Sequence, residues 1–151
     1  MVPGVYVDFE NDEKRRYLKV AVSYVYMVSY LCTIKKRGNI MKQAISAARQ
    51  QTNLMLQELG IPERWKGYKY LCSAIPHYAE NEGISMPEGV YPYLCRYFGC
   101  THPAEIEYMI RVSISAGWNS GHRESWLHYF PHSDKVPSNS KFIAVLAQRL
   151  K

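Results

Sequence analysis

VYPYLCRYFGCTHPAEIEYMIRVSISAGW, residues 90–118, predicts two helices joined by a tight turn, and it decides the fold of this chain. Gly99 ends the first apolar stripe, and glycine readily adopts the left-handed conformation that terminates a helix. Pro103 then suits a first helical turn, and Glu105 favours the positive end of the helix dipole. Apolar positions recur at helical spacing in the first helix (Val90, Leu94, Cys95, Phe98) and in the second (Ile106, Met109, Ile110, Ser113, Ile114, Gly117, Trp118). The segment therefore predicts a helix-turn-helix.

The second helix of this unit has an outer face that could enter the major groove of DNA, which is wide enough to admit a helix. That face consists of Ala104, Glu105, Glu107, Tyr108, Arg111, Val112 and Ser115. Helical hairpins with a solvated outer face recur in many unrelated folds, so spacing alone leaves both interpretations open.

Two helices are predicted ahead of this unit. The first runs from Met41 to Leu59 and ends at Gly60. The second starts at or just after Pro62, and Pro76 should kink or end it because proline removes a backbone donor. Residues 81–89, with two glycines and a proline, form a loop. The expected buried faces are Ile45, Ala48, Thr52, Met55, Leu56 and Leu59 in the first helix, and Trp65, Tyr68, Leu71, Cys72 and Ile75 in the second.

Two more helices are predicted after it. The first of them, Glu124–Phe130, is a short helix rich in aromatic residues. The run Ser138-Asn139-Ser140 supplies an N-cap for the second, which is the last helix of the chain. The apolar stripe of that helix is Phe142, Ile143, Leu146, Ala147 and Leu150. The predicted fold is an all-α, six-helix bundle that contains the helix-turn-helix. Its domains are an N-terminal extension of uncertain structure, residues 1–40, and a helical DNA-binding effector-like domain, residues 41–151.

Composition sets looser bounds on function. The 151 residues are 47% hydrophobic, with a net charge of +6. A positive charge permits DNA binding without proving it, and half of the excess lies in residues 1–40, so the argument from charge is weak. The four cysteines, at 32, 72, 95 and 100, show no disulfide framework. They indicate reduced residues of a cytoplasmic protein.

Residues 20–34, VAVSYVYMVSYLCTI, are apolar and lie between two basic runs. One interpretation is one or two strands, or a helix, packed on the domain. Another is a weak membrane or interfacial anchor, although about twenty residues are needed to span a bilayer. A third is that the natural chain begins at Met41 and this segment does not belong to the folded unit.

Enzymatic signatures are absent from the sequence. It contains no nucleophile elbow, phosphate-binding loop or paired carboxylates. The histidines and the nearby cysteine pair match no usual zinc spacing: His77, His102, His122, His128 and His132, with Cys95 and Cys100. We therefore expect no enzyme activity, no metal and no cofactor.

Four motifs in register carry a resemblance to a known family. They are GIPERWKGYKYL at 60–71, YPYLCRYFGCT at 91–101, IRVSISAGWNSG at 110–121 and PSNSKFIAVLAQRL at 137–150. From Leu54 to Leu150 the chain resembles the C-terminal effector domain of the sporulation master regulator, the stage-zero response regulator of Firmicutes. The resemblance implies a six-helix domain whose relatives bind promoter DNA, often as tandem dimers.

Two departures from the family pattern concern control and sequence reading. Family members carry a phosphorylatable receiver domain ahead of this one, and too few residues precede the match here, so we expect control by abundance or by a partner. The family opens its reading helix with two arginines that reach bases and phosphate. At those positions this chain has Glu105 and Tyr108, while Glu107 is kept and Arg111 matches a basic position. In the closing motif Val136 replaces the family lysine, although Lys135 could substitute.

The predicted DNA-binding residues are Thr101, His102, Glu105, Glu107, Tyr108, Arg111, Val112, Ser115, Lys135 and Asn139. One hypothesis is a sequence-specific transcription regulator of altered specificity, in which Tyr108 and Val112 touch thymine methyl groups. In that regulator Glu107 accepts from a cytosine amino group, and Arg111 anchors phosphate or guanine.

The alternative hypothesis is a protein-interaction module that keeps the fold, has lost DNA reading and pairs with a full-length relative. The expected partner is double-stranded DNA. A homodimer, or a heterodimer with a full-length relative, stays open.

Overall fold

A computed structural model describes residues 12–151, with side chains from residue 21 onward. Its elements are α1 (Asp12–Glu58), α2 (Lys66–Glu80), a π-helix (Met86–Val90), α3 (Tyr91–Phe98), α4 (Pro103–Trp118), α5 (Arg123–Tyr129) and α6 (Asn139–Gln148). Residues 12–151 contain no strand, so the predicted all-α fold with six α-helices is confirmed. Part of the predicted extension, residues 1–11, lies outside the described residues. The described chain divides after Gln43 into two compact units, of which the second is Ala44–Lys151.

Helix α1 corrects two predictions about the first unit. It contains all of residues 20–34, so the interpretation of that segment as one or two strands is wrong. It also begins at Asp12, far ahead of the predicted start at Met41. No proline interrupts the run, and the single Gly38 costs a helix only about 1 kcal/mol relative to alanine. The side chains of residues 21–43 are all exposed.

Within the described part of the chain, no helix combines the length and the apolar character that crossing a membrane requires.

The second unit has one hydrophobic core, to which every helix of the unit contributes. Helix α2 packs against both α4 and α6, and α3 packs against α4. The fully buried large side chains include Leu56, Leu59, Leu71, Ile75, Leu94, Ile106, Ile110, Ile114, Phe142, Ile143 and Leu146. Trp126 of α5 closes one end, because its indole Nε1 donates to the carbonyls of Leu59 (3.0 Å) and Gly117 (3.1 Å).

Helix α2 departs from its prediction at both ends. Trp65, expected in the core, precedes the helix and is 39% exposed. Pro76 does not end α2, which continues to Glu80. Ile75 and Pro76 are both buried, and packing of an apolar face outweighs the loss of one backbone hydrogen bond. The predicted loop 81–89 is partly wrong as well, because Ser85 caps the π-helix by accepting a hydrogen bond from the Glu88 amide at 3.2 Å.

Candidate nucleic-acid interface

The turn between α3 and α4 has the geometry that its residues predict. Gly99 takes the left-handed conformation at φ 71°, and the Cys100 amide donates to the Cys95 carbonyl at 3.0 Å. His102 is extended, with φ −131° and ψ 127°, and Pro103 occupies the first helical turn. Four residues, Gly99 to His102, therefore connect the two helices.

The inner face of α4 is held by a close approach of α2. Ile106, Ile110 and Ile114 are each 0% exposed. Opposite them α2 presents Gly67, and a Cβ atom there would overlap the Ser113 hydroxyl and the Met109 carbonyl. Because glycine has no side chain, the two helix backbones come closer than any other residue would allow.

Asn139, at the start of α6, fixes α4 from another side. It is 5% exposed, and its Nδ2 donates to the Glu107 carbonyl at 2.9 Å and to the Tyr91 hydroxyl at 3.3 Å. Burial raises the pKa of Tyr91 above its ordinary value, and the hydrogen bond from Asn139 offsets only part of this rise. One amide thus joins α3, α4 and α6 beneath the outer face of α4.

The outer face of α4 is open. Tyr108 is 62% exposed. Arg111 Nη2 lies 3.6 Å from Glu107 Oε1, one helical turn away, and both side chains are solvent-accessible. An exposed ion pair of this kind contributes only about 0–1 kcal/mol, so Arg111 can leave it for a stronger anionic partner.

A depression beside the turn brings α2 to the same surface. Its walls are formed by Lys66, Lys69, Tyr70, Phe98, Gly99, Cys100, Thr101 and Glu105. Two lysines therefore stand near the single carboxylate of Glu105, which makes this end of α4 basic. Burial, together with a contact of 3.4 Å from the Tyr70 hydroxyl to Cys100 Sγ, raises the pKa of Tyr70 to about 12.

Residues 52–150 match the family described as "Sporulation initiation factor Spo0A C terminal". The chain belongs to this family. The Spo0A C-terminal family consists of DNA-binding effector domains of sporulation regulators, and it is not an enzyme family. The resemblance derived from the four motifs is thereby confirmed, and the matched residues include the whole helix-turn-helix.

In this Spo0A C-terminal domain the predicted DNA-binding residues differ in accessibility. Thr101, His102, Glu105, Tyr108, Arg111 and Lys135 are exposed; Glu107, Val112 and Ser115 are half-buried; Asn139 is buried. The Asn139 amide donates to the Glu107 carbonyl and to the Tyr91 hydroxyl, so this side chain is engaged within the protein. Lys135 lies on the loop that leads into α6, apart from the depression. His102 precedes α4 without a side-chain capping bond.

The sequence analysis missed Lys66 and Lys69. Both are exposed on α2, where they flank the buried Gly67 and Tyr68. The signal was present in GIPERWKGYKYL, because two lysines three residues apart share one face of a helix. Their nearness to Thr101 and Glu105 depends on how α2 packs against α4, and no pattern within α2 reports that packing.

A metal site finds no support in the part of the chain that the structure describes, since no three histidine, cysteine, aspartate or glutamate side chains converge there. All four cysteines are free. Burial raises the pKa of Cys72 to about 11, which keeps this thiol protonated and unreactive at neutral pH.

Proposed function

We propose that the unit Ala44–Lys151 binds duplex DNA as a sequence-specific transcription regulator, with the outer face of α4 in the major groove. The observation that carries the proposal is the exposure of Tyr108 and Arg111 on a helix whose opposite face is fully buried. A reading helix must be held rigidly while its contact residues stay accessible. Gly67 and Asn139 supply that rigidity from two sides.

The side chains of the open face match particular base edges. Arg111 can donate two hydrogen bonds to guanine or bind a phosphate, and the Glu107 carboxylate can accept from a cytosine amino group. The ring of Tyr108 and the methyl groups of Val112 suit contact with a thymine methyl group. Ser115 can donate to either a base or the backbone. Glu105 and Tyr108 stand where the family pattern has its two leading arginines, so we propose a different target sequence.

Phosphate contacts are assigned to the depression beside the turn. Lys66 and Lys69 stand next to Thr101 there, close to the first turn of α4. Unpaired amides at a helix start attract phosphate, and lysines nearby strengthen that attraction. His102, which precedes α4, and Lys135, on the loop before α6, are exposed and are further candidates for phosphate contacts. These contacts offset the repulsion that Glu105 introduces.

The test is the affinity of the chain for labelled duplexes, selected from a random pool, as salt rises from about 50 to about 300 mM. We expect the logarithm of the association constant to fall linearly with the logarithm of salt, by about 0.9 per phosphate contacted. Replacing Lys66 and Lys69 together by alanine should reduce the size of this slope by about 2. It should also lower the affinity for every duplex by a similar factor.

Lys151→Ala is the matched control. Lys151 pairs with Glu82, just beyond the C-terminal end of α2, whereas Lys66 begins that helix. This variant removes one exposed lysine without touching the depression, so its salt slope should equal that of the parent. If the double variant has the same salt slope as the control, Lys66 and Lys69 do not contact phosphate.

A second function is favoured by one observation. On α4 itself Glu105 and Glu107 outnumber Arg111, and Arg111 already contacts Glu107. A protein-interaction module that pairs with a full-length relative would have such a face. Absence of duplex binding even at about 50 mM salt, together with co-purification of that relative, would support this function against DNA reading.

A further inference from the structure

Two cysteines lie together at the turn between α3 and α4. The Cys100 amide donates to the Cys95 carbonyl at 3.0 Å, across Gly99 in its left-handed conformation. This hydrogen bond closes a Schellman motif, in which the side chains of the two bonded residues commonly contact each other. Standard bond lengths keep two Cα atoms that are joined in this way within about 7 Å. The backbone therefore satisfies the distance limit for a disulfide between Cys95 and Cys100.

The two thiols also share their surroundings. Both cysteines are half-buried and pack against the hydrophobic core. The Tyr70 hydroxyl of α2 lies 3.4 Å from Cys100 Sγ. Burial raises the pKa of the Cys95 thiol, and negative charge on Cys100 would raise it further. That influence of one thiol on the other agrees with the short backbone distance, so the two sulfur atoms are neighbours.

The two thiols differ in how they are reached. Cys100 forms part of the wall of the open depression beside the turn, together with Lys66 and Lys69, whereas Cys95 does not line it. A small oxidant that enters this depression from solvent therefore meets Cys100 first. Cys72 is placed differently, because its thiol donates to Asn53 Oδ1 at 2.9 Å.

We propose that Cys95 and Cys100 form a reversible disulfide, with hydrogen peroxide as the oxidant, and that this bond lowers the affinity of the second unit for duplex DNA. The disulfide is independent of the function proposed above, whereas its effect on DNA rests on that function. A cysteine that an oxidant can reach, next to a second cysteine that resolves the product, is the arrangement of redox sensors. The turn ahead of the reading helix is then a modification site.

The oxidation consumes one peroxide and two thiols. Cys100 gives up its proton, and its sulfur attacks one peroxide oxygen. The O–O bond breaks, the departing hydroxide takes the proton and leaves as water, and Cys100 carries a sulfenic acid. The Cys95 sulfur then attacks the Cys100 sulfur, so that an S–S bond forms and the S–O bond breaks. The second hydroxide takes the Cys95 proton and leaves as water, and a thiol reductant restores both cysteines.

The disulfide changes the turn because it is a covalent link across it. The S–S bond is about 2.0 Å long and holds the two Cβ atoms about 3.5–4.5 Å apart. It ties Cys100 to α3 and removes the S–H group beside the Tyr70 hydroxyl. Thr101 and His102 follow directly, and both are among the predicted DNA-binding residues. Their displacement should weaken binding to every duplex, since phosphate contacts do not depend on sequence.

The first experiment detects the bond itself. The full chain carries Cys32→Ser, because the exposed Cys32 thiol could otherwise link two molecules. After treatment with hydrogen peroxide and alkylation of the remaining thiols, trypsin cuts behind Arg96. Mass spectrometry should then show peptides 70–96 and 97–111 joined, and dithiothreitol should separate them.

Two matched variants identify the partner of Cys100, since peptide 70–96 contains both Cys72 and Cys95. Cys72→Ser should keep the joined peptides, and Cys95→Ser should lose them. Circular dichroism checks that both variants keep the helical fold. Joined peptides that disappear with Cys72→Ser and persist with Cys95→Ser would overturn the proposed pair.

The second experiment measures affinity for the selected duplex before and after oxidation. The oxidised chain should bind at least about fivefold more weakly, which is the lower end of ordinary coupling between a switch and a binding site. Dithiothreitol should restore the affinity. Peroxide should leave the affinity of Cys95→Ser unchanged, and this control also excludes an effect of methionine oxidation.

The outcomes separate this inference from the proposed function. If the reduced chain binds duplex but peroxide yields no joined peptides, or only a disulfide between two molecules, the modification site is wrong and DNA binding stands. If the peptides are joined and the affinity is unchanged, the bond forms but does not control DNA binding. If the reduced chain binds no duplex, the proposed function fails and the switch fails with it, while joined peptides would still establish the disulfide.

Discussion

Single residues on the buried side of α4 decide whether that helix is held in place. Ser113 is 1% exposed, and its hydroxyl finds no hydrogen-bond partner within the described part of the protein. An unsatisfied buried hydroxyl costs about 1–3 kcal/mol. It lies against Gly67, where α2 and α4 are so close that no side chain fits between them. Close packing has therefore taken precedence over hydrogen bonding at this point.

Gly67→Ala should destabilise the domain by about 1–3 kcal/mol, because the added methyl group meets the Ser113 hydroxyl and the Met109 carbonyl. Urea unfolding followed by tryptophan fluorescence measures the change. Gly38→Ala is the control, since that glycine has open space around its Cβ position and alanine favours a helix. Equal effects of the two substitutions would contradict the close approach of α2 and α4.

Ile110→Asp should unfold the second unit. Ile110 lies on the buried face of α4 and is 0% exposed. A lone carboxylate at this position would lose its hydration without gaining a partner. Circular dichroism should show a large loss of helix and no cooperative melting. The adjacent Arg111→Asp is exposed and should melt within a few degrees of the parent. If Ile110→Asp melts like the parent, the assigned orientation of α4 is wrong.

Helix α4 and the start of α2 form one surface that has an acidic part and a basic part. The outer face of α4 has more carboxylates than cations, whereas the depression at its beginning has two lysines near Glu105. DNA affinity depends mainly on phosphate neutralisation, and base contacts then set specificity. We therefore expect this domain to bind more weakly than one that keeps both family arginines.

Replacing Glu105 and Tyr108 together by arginine should raise duplex affinity. Each guanine contact of an arginine is worth about 1–3 kcal/mol, and removal of the Glu105 carboxylate also ends its repulsion of phosphate. The salt series described above gives the measurement, and circular dichroism checks that the fold is unchanged. Unaltered affinity in a folded variant would mean that this face does not enter the groove.

For the whole second unit, buried phenols link stability to alkaline pH. Burial raises the pKa of Tyr68 and of Tyr129 from 10.0 to about 12, and a hydrogen bond to Glu58 adds to the shift at Tyr129. The Tyr129 hydroxyl donates to Glu58 Oε2 at 2.9 Å. A phenol whose pKa is raised on folding contributes stability that is complete below pH 10. That contribution is lost as the pH rises through the folded value.

The melting temperature should therefore fall between about pH 10 and about pH 12. The comparison with Tyr129→Phe isolates one phenol. The parent should be the more stable protein at pH 8, where the hydrogen bond to Glu58 is intact. Its advantage should shrink above pH 10, because the phenolate would face a carboxylate. A difference in melting temperature that stays constant from pH 8 to pH 12 would rule out this linkage.

Local signals predicted most of the helices correctly. The turn at Gly99, the proline at the start of α4 and the serine before α6 each act through bonds within a few residues, so their effects can be read from the sequence. The same local rules did not predict where α2 ends, because the helix continues through Pro76 to Glu80 and its packing against two other helices outweighs one broken hydrogen bond. In residues 20–34 they left strand and helix open, because a short apolar run does not distinguish the two, and the structure has a helix there.

Four motifs were sufficient to predict the family, and helical periodicity was sufficient to predict the helix-turn-helix and the outward direction of Tyr108 and Arg111, since periodicity places residues on faces without reference to the rest of the chain. Only the tertiary structure decided that Asn139 is buried against the Glu107 carbonyl and that two lysines of α2 stand beside the start of α4. The reason is physical. Those contacts join residues more than thirty positions apart, and they exist only once the core has set the distance between the helices.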